Sequence, residues 1–295
     1  MTKTKERQVE ELGMVERHLA DSYEQVQKVR VALGNRARAI EDGDDEHGIM
    51  FAKKMADDLK KKEEEIFQFM KDRAEGTEVY NKFLSKIKGM GPTLSTKLQA
   101  WLEPEKAPKP SSFVKYAGLG VEMKCNECET LEPRKPKRKK KESDEEWQER
   151  LKNYQAEKIL WEGKQHGDDC PKCNNGTLEG QAQQRIAGKP TSFNPIVRDL
   201  MWNVTECFVR SNSQYKVIYD KEKQRKKKQG WGESDGHRST HAKRKMGKIF
   251  LHHLWVVWRS ILDLPTRSPY IEEYGNHSNI IEVHDIVPEV EVEIN

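Results

Sequence analysis

Four of the five cysteines stand in two CxxC pairs, Cys125–Cys128 and Cys170–Cys173. A CxxC turn presents two thiolates to one ion, and two such turns complete a tetrahedral shell. The pairs must therefore meet, and residues 121–180 must close on themselves as a module inserted into whatever the flanking chain builds. The 41 residues between the pairs exceed the usual zinc-ribbon interval. They hold the run Arg134–Lys141 (RKPKRKKK) and then a helical stretch, Ser143–Trp161, so the pattern is a zinc ribbon with a basic helical finger. All four ligand positions are sulfur, which leaves no open position for water and makes the zinc structural. The competing reading, four buried cysteines without metal, does not account for the paired spacing. His166 reads as a surface residue and Cys207 as a core residue on a helix. Paired cysteines of this kind suit a reducing compartment and a metal better than disulfides.

Hydrophobic and charged residues each make up 35% of the chain. That is too polar for one compact globule and predicts long solvated helices. Residues 3–41 read as one helix with Leu12, Leu19, Val26 and Leu33 at one heptad position, Val9 and Tyr23 at the other, and Glu16 and Arg30 as polar breaks. After the turn 41–48 a second helix runs to about Ala74, with Met55, Leu59, Ile66 and Met70 on one face. Residues 1–80 thus read as an antiparallel coiled-coil hairpin, either a dimerisation arm or a spacer. Asp42, Asp44, Asp45 and Glu46 in the turn are a weak cation site, and a solvated loop is the plainer reading. No apolar run is long enough to cross a membrane, and the first residues, MTKTKERQVEEL, are no signal peptide.

Charge is unevenly spread. Residues 271–295 carry seven acidic residues and no Lys or Arg, so the net +4 conceals a strongly basic remainder. The clusters Arg134–Lys141, Lys221–Lys228 and Lys243–Lys245 are candidates to face a polyanion, against the plain alternative of solvated loops. Residues 221–240 read as a basic, glycine-rich loop. A last helix is expected from about His241 to Leu262, with Met246, Ile249, Phe250, Leu254, Val257, Trp258 and Ile261 as its apolar stripe. Its leading His241, Lys243, Arg244, Lys245 and Lys248 would oppose the helix dipole unless an anion offset them. His252 and His253 read as packing residues. Residues 266–295 form an acidic tail in which Val287–Ile294 alternates apolar and acidic, as either an edge strand or a disordered tail.

The segment Phe83–Gly120 carries the most specific phrases. Ile87-Lys-Gly89-Met-Gly91-Pro92 is a tight turn before a short helix bearing Leu94, Leu98, Trp101 and Leu102. The turn leaves helix N-terminal amides open, as in a helix-hairpin-helix that grips a phosphate through its backbone. An ordinary helical corner is the equal alternative on these residues alone. Ser112, Phe113, Tyr116, Ala117, Gly118 and Leu119 follow at a fixed distance. Ile186, Gly188, Lys189 and Arg198–Leu200 come after the insertion, and the helix His241–Trp258 closes the series. This order resembles the C-terminal domain of the insertion-sequence 110/116/902 transposases, the RNA-guided recombinases of bacterial and archaeal mobile elements, over residues 83–120 and 181–262. The resemblance implies a mostly helical DNA-binding domain. Gly89, Gly91, Thr93, Lys97, Arg185, Lys189, Arg198, Lys243, Arg244 and Lys245 are its candidate DNA contacts.

Relatives also carry an N-terminal nuclease-like domain whose acidic residues hold magnesium, and a nucleophilic serine between the "YxGL" and "IxKxG" phrases. Residues 1–80 show no alternating strand pattern for such a domain. The zinc insertion occupies the place of the serine, where Ser143 reads instead as a helix cap. Ser192 is the best remaining candidate nucleophile, ahead of Ser111 and Ser112, and a serine needs a base or a metal beside it. The expectation is a mainly α protein in four parts: a helical arm, 1–80; a transposase-type helical domain, 81–120 with 181–265; the inserted zinc ribbon, 121–180; and the tail, 266–295. Its function would be DNA binding in transposition or a domesticated derivative without autonomous cleavage. The alternatives are an active serine recombinase working with magnesium and a partner nuclease subunit, or a coiled-coil assembly protein. The implied partners are DNA, a guide RNA, and a second copy through the arm, in a prokaryotic, nucleoid-associated setting.

Overall fold

The computed structural model describes residues 3–39, 46–164, 166–188, 190–232, 234–267 and 281–290, with side chains from residue 15 onward. The protein is mainly α-helical. Helices α1 (Lys3–Ala39) and α2 (Glu46–Glu75) form the arm. Glu16 meets Arg73 at 2.7 Å, and Arg30 meets Glu63, so the two helices run in opposite directions. The seam is more polar than an apolar heptad: Glu63 is buried and also receives the Gln27 amide at 2.8 Å. Met55, expected on the inner face, is 39% exposed, whereas Met70 of the same face is buried together with Glu63 and Ala74. The acidic residues 41–45 lie outside the described residues.

The core begins with α3 (Glu78–Lys82), a 3₁₀ turn (Leu84–Lys86), α4 (Pro92–Trp101) and α5 (Pro110–Tyr116). It is completed by α7 (Pro195–Arg210), α8 (Lys216–Lys228), α9 (Asp235–Ile261) and α10 (Val283–Ile286). Asn194 starts α7 as sequence rules predict: its side chain accepts from the Ile196 amide, and Pro195 needs no acceptor. The centre is a set of rings. Phe250 of α9 lies 5.2 Å from Phe208, 5.5 Å from Tyr215 and 6.4 Å from Phe83, measured between ring centres. Burying each such ring contributes roughly 1.5–3 kcal/mol. At the far end of α9, the Trp255 indole donates to Ala107 O at 2.7 Å, and Arg259 donates to Pro104 O at 2.6 Å.

Three expectations fail in this region. Residues 221–228 are helix rather than loop, since α8 extends to Lys228. Its lysine-rich last turn sits at the helix C-terminus, where cations complement the dipole. Helix α9 starts at Asp235, capped by Ser234, so Lys243–Lys245 lie more than two turns inside it and do not oppose its dipole. Residues 281–290 are not a free acidic strand. Val283, Ile286, Val287 and Val290 are buried in the core, and Ile281 O accepts from His253 Nε2 at 2.8 Å.

The inserted module is small. Strands β1 (Val121–Cys125) and β2 (Leu178–Ala182) pair antiparallel from Val121 opposite Ala182 to Cys125 opposite Leu178. Helix α6 (Asp144–Trp161) begins with a reciprocal Ser143–Glu146 capping box and ends with Trp161 packed on Cys125, Cys170 and Leu178. Arg134 opens the basic run, but it does not face solvent. It holds Glu122 through two bonds of 2.7 and 3.0 Å and donates to Gln184 O and Pro190 O, which ties the module to the core.

Candidate functional site

The four cysteine sulfurs lie within 4.8 Å of one another. Cys125 Sγ and Cys173 Sγ are 3.7 Å apart, as are those of Cys128 and Cys170. A tetrahedral ion with metal–sulfur bonds of about 2.3 Å places its ligands about 3.8 Å apart, so the four thiols can hold a metal ion without rearrangement. The knuckle turns are built for it. The Cys128 and Lys172 amides point at Cys125 Sγ and Cys170 Sγ at 3.4 and 3.5 Å. Gly176 cannot be replaced: a Cβ there would stand 2.6 Å from Cys125 Sγ. Burial pushes the Cys125 thiol up to about 11, while the hydroxyl and amide of Thr130 pull Cys128 down to about 6. His166 stands aside, with Nδ1 at 3.2 Å from Leu178 O.

The candidate DNA contacts do not share one face. Gly89 (φ +93°) seats its turn on the end of α7, where a Cβ would come 2.4 Å from Ser211 Oγ. Gln214 fixes the same turn, accepting from the Lys88 amide at 3.0 Å and donating to Lys86 O at 2.8 Å. Gly91 caps α4 without a side-chain bond and is exposed, and Thr93 follows half-buried in the first turn. Lys97 is turned the other way, into the arm, where it meets Glu24 at 2.5 Å. Lys243 pairs with Glu206 and lies 4.6 Å over the Trp202 ring. Arg185 is exposed on the loop after β2, and Lys189 lies outside the described residues.

Lys245 belongs to a different construction. Glu222 of α8 is 1% exposed and accepts from Arg225 at 2.6 and 2.9 Å and from Lys245 at 2.9 Å. The Arg225 bonds, followed by Lys245, hold its carboxyl down at about 2. Beyond this knot the α8–α9 fork ends in Trp231, which is 36% exposed. Lys226 Nζ lies 4.4 Å from its ring centre, and the His237 and His241 rings at 4.8 and 4.7 Å. Lys221, Lys227 and Lys228 of α8 are exposed.

Arg198 and Arg244 do come together. Arg244 donates to Leu119 O and Gly120 O, both at 3.2 Å, and Arg198 donates to Gln183 O at 3.2 Å while covering the Phe193 ring. Gln183 is buried and fixes this corner, accepting from the Gly120 amide at 2.9 Å and donating to Ser192 Oγ at 3.2 Å. Lys248 stands one helical turn beyond Arg244. Burial pushes both below their ordinary values, with Arg198 adding to the effect on Arg244 and Arg244 to that on Lys248. The sequence places Lys248 among the basic residues that lead α9 and gives no signal for Gln183.

Comparison of the chain with protein-family models, with curated proteins and with solved structures finds no match in any of the three. No helix among the described residues is long and apolar enough to cross a membrane.

Proposed function

We propose that this protein binds duplex DNA through the tip of the α8–α9 fork, as a transposase-related protein that does not itself cut strands. The observation that carries this reading is the composition of the tip. Lys221, Lys227 and Lys228 of α8 are exposed and have no carboxylate within ion-pair distance among the described residues, and Lys226 of the same helix lies over a half-exposed Trp231. Lysines left unpaired by the fold displace counterions from phosphates, and an aromatic ring held among cations offers a surface for a base or sugar. In this reading the 3₁₀ turn, Gly89–Gly91 and α4 act as a helix-hairpin-helix, with the uncapped amides at Gly91 as a second backbone contact. Zinc fills the four-thiol site in a structural role. The transposase relation rests on the order of the sequence phrases. It is supported by the packing of 83–119 and 197–257 into one core across the inserted module. Met50, Phe51 and Phe69 are exposed on the arm and would meet a second copy.

A second reading, an active serine recombinase, is favoured by the position of Ser192 beside the Arg198–Arg244 corner. Its mark would be a magnesium-dependent protein–DNA adduct on a denaturing gel that vanishes in Ser192→Ala.

The DNA reading is tested by fluorescence anisotropy of a labelled duplex over a range of salt. A variant carrying Lys221→Gln, Lys227→Gln and Lys228→Gln should bind more weakly, with the slope of log K against log salt reduced by about 0.9 for each phosphate that is no longer neutralised. An unchanged slope and affinity would sink the fork as the DNA surface, and no binding by the parent protein would move the weight to an assembly role.

A further inference from the structure

Arg198, Arg244 and Lys248 differ from the part-buried Lys97, Arg134 and Lys243, each of which has a carboxylate within hydrogen-bonding distance. Buried Arg259 also lacks a carboxylate, but it bonds three backbone carbonyls. The acceptors bound to Arg198 and Arg244 are neutral backbone carbonyls, and no ion pair reaches any of the three among the described residues. A guanidinium has five N–H donors, so most of the donors on both arginines remain unused. Lys248 adds a third positive charge one turn along α9. Partly buried like charges side by side are costly unless something of opposite sign joins them.

The surrounding backbone adds to the imbalance. Arg198 is the fourth residue of the sixteen-residue α7, and the first turn of that helix has no acidic residue. The positive end of its dipole therefore faces the same corner. The exposed stem of Lys115 reaches it too, since a Cβ on Gly120 would lie 3.1 Å from Lys115 Cγ. The neighbouring acid, Asp199, is exposed and bonds none of these cations. Neutral hydrogen-bonding groups adjoin the corner: Gln183, whose carbonyl accepts from Arg198, also bonds the hydroxyl of Ser192 through its side-chain amide.

We propose that Arg198, Arg244 and Lys248, beside Gln183 and Ser192, form a binding site for one phosphate oxyanion. This deepens the DNA-binding reading and rests on it for the source of the phosphate: a single backbone phosphate seated here, away from the fork. The bidentate donors of two guanidiniums match a tetrahedral oxyanion, and the lysine supplies a point charge. A carboxylate ligand would leave part of this donor set unused.

The test uses the full-length, metal-loaded protein with inorganic phosphate and with duplex DNA, in the parent, in Lys248→Gln, in Arg244→Gln, and in Lys140→Gln as a control on the basic finger. Phosphate should raise the parent's Tm in a saturable way beyond chloride at equal ionic strength. Lys248→Gln should match or exceed the parent's Tm without phosphate, because it relieves like-charge crowding, and should lose the saturable gain. A Tm that drops in Lys248→Gln while the phosphate gain persists would show a merely structural lysine and overturn the site. On DNA, Lys248→Gln and Arg244→Gln should each weaken binding about ten-fold, with Lys140→Gln close to the parent. A phosphate response without DNA binding keeps the site and removes DNA as its source. DNA binding that is unaffected by either variant, with no saturable phosphate response, overturns the site and leaves the fork reading standing.

Discussion

Two cation clusters share the same stretch of helix α9, where Arg244 and Lys245 are consecutive, and they are built on opposite terms. At the fork, Arg225 and Lys245 converge on Glu222, a carboxylate that is only 1% exposed. At the corner, Arg198 and Arg244 bond backbone carbonyls with Lys248 beside them, and no carboxylate pairs with any of the three among the described residues. The first cluster meets its cations with a buried carboxylate and so serves the fold. The second leaves the balance open and so has something to offer a ligand. Basic residues in a sequence look alike. Only the presence or absence of a long-range acidic partner separates the two uses.

The largest expected effect comes from removing the metal. Four-thiol sites contribute about 10–16 kcal/mol of apparent binding free energy in small zinc peptides at neutral pH. Here β1 and β2 pair over only five residues each, and the cluster around Trp161 has few members. Chelation, or Cys170→Ser, should therefore abolish amide-exchange protection across 121–182 while α9 and the fork keep theirs. The corner should suffer with the module, because Gln183 follows β2 and Arg134 clamps Glu122 to the 184–190 loop. Loss of the phosphate response with intact fork protection would sharpen the contrast. Equal loss at both clusters would break it.

Much of the local structure was written locally. Ser143 with Glu146, and Asn194 with Pro195, announce their helices because caps act within one turn. The cysteine pairs announce the metal site because each knuckle is four residues long. What stayed hidden was pairing at a distance. Nothing near Lys97 points to Glu24, nothing near Arg134 points to its buried hold on Glu122, and nothing near Lys243 points to Glu206. Each was therefore read as a ligand contact or a free cation. The errors at the chain's end have the same source. Val283, Ile286, Val287 and Val290 look like a polar tail by composition, and only their docking against α9 makes them core. Helix α8 was read as loop because its lysines outnumber its apolar residues, yet Ile218, Tyr219 and Glu222 are enough to fix one face.

Glu222 gives the next effect in size. Glu222→Gln keeps the shape and removes the charge, so it should cost about 1–3 kcal/mol of stability. The cost stays below that of a fully buried pair because Arg225 and Lys245 are about half exposed and can turn to water. The sign with pH follows from its depressed pKa. Folded Glu222 titrates at about 2 against an ordinary 4.5, so its contribution is complete above pH 4.5 and is lost as pH falls toward 2. Buried His253, pushed down to about 4 from 6.5, costs stability as pH falls through that range in both proteins, so the informative quantity is parent minus variant. Urea unfolding at pH 7, 4 and 2.5 should show a gap that narrows only below pH 4.5. A gap that is constant with pH would mean that shape, not charge, holds the knot.

The smallest effects belong to two of the lysines expected from the sequence to contact DNA, Lys243 and Lys245. Lys243 is already joined to Glu206 and covers Trp202, and Lys245 is already joined to Glu222. A lysine engaged by a carboxylate releases few counterions when a phosphate arrives, because its charge is already met. Lys243→Gln and Lys245→Gln should each change stability by no more than about 1 kcal/mol. Both should leave the slope of log K against log salt within error of the parent, whereas Lys248→Gln lowers it by about 0.9. If Lys245→Gln lowered the slope as much as Lys248→Gln, Lys245 would have to leave Glu222 when DNA binds. The fork and the corner would then be two parts of one DNA surface along α9.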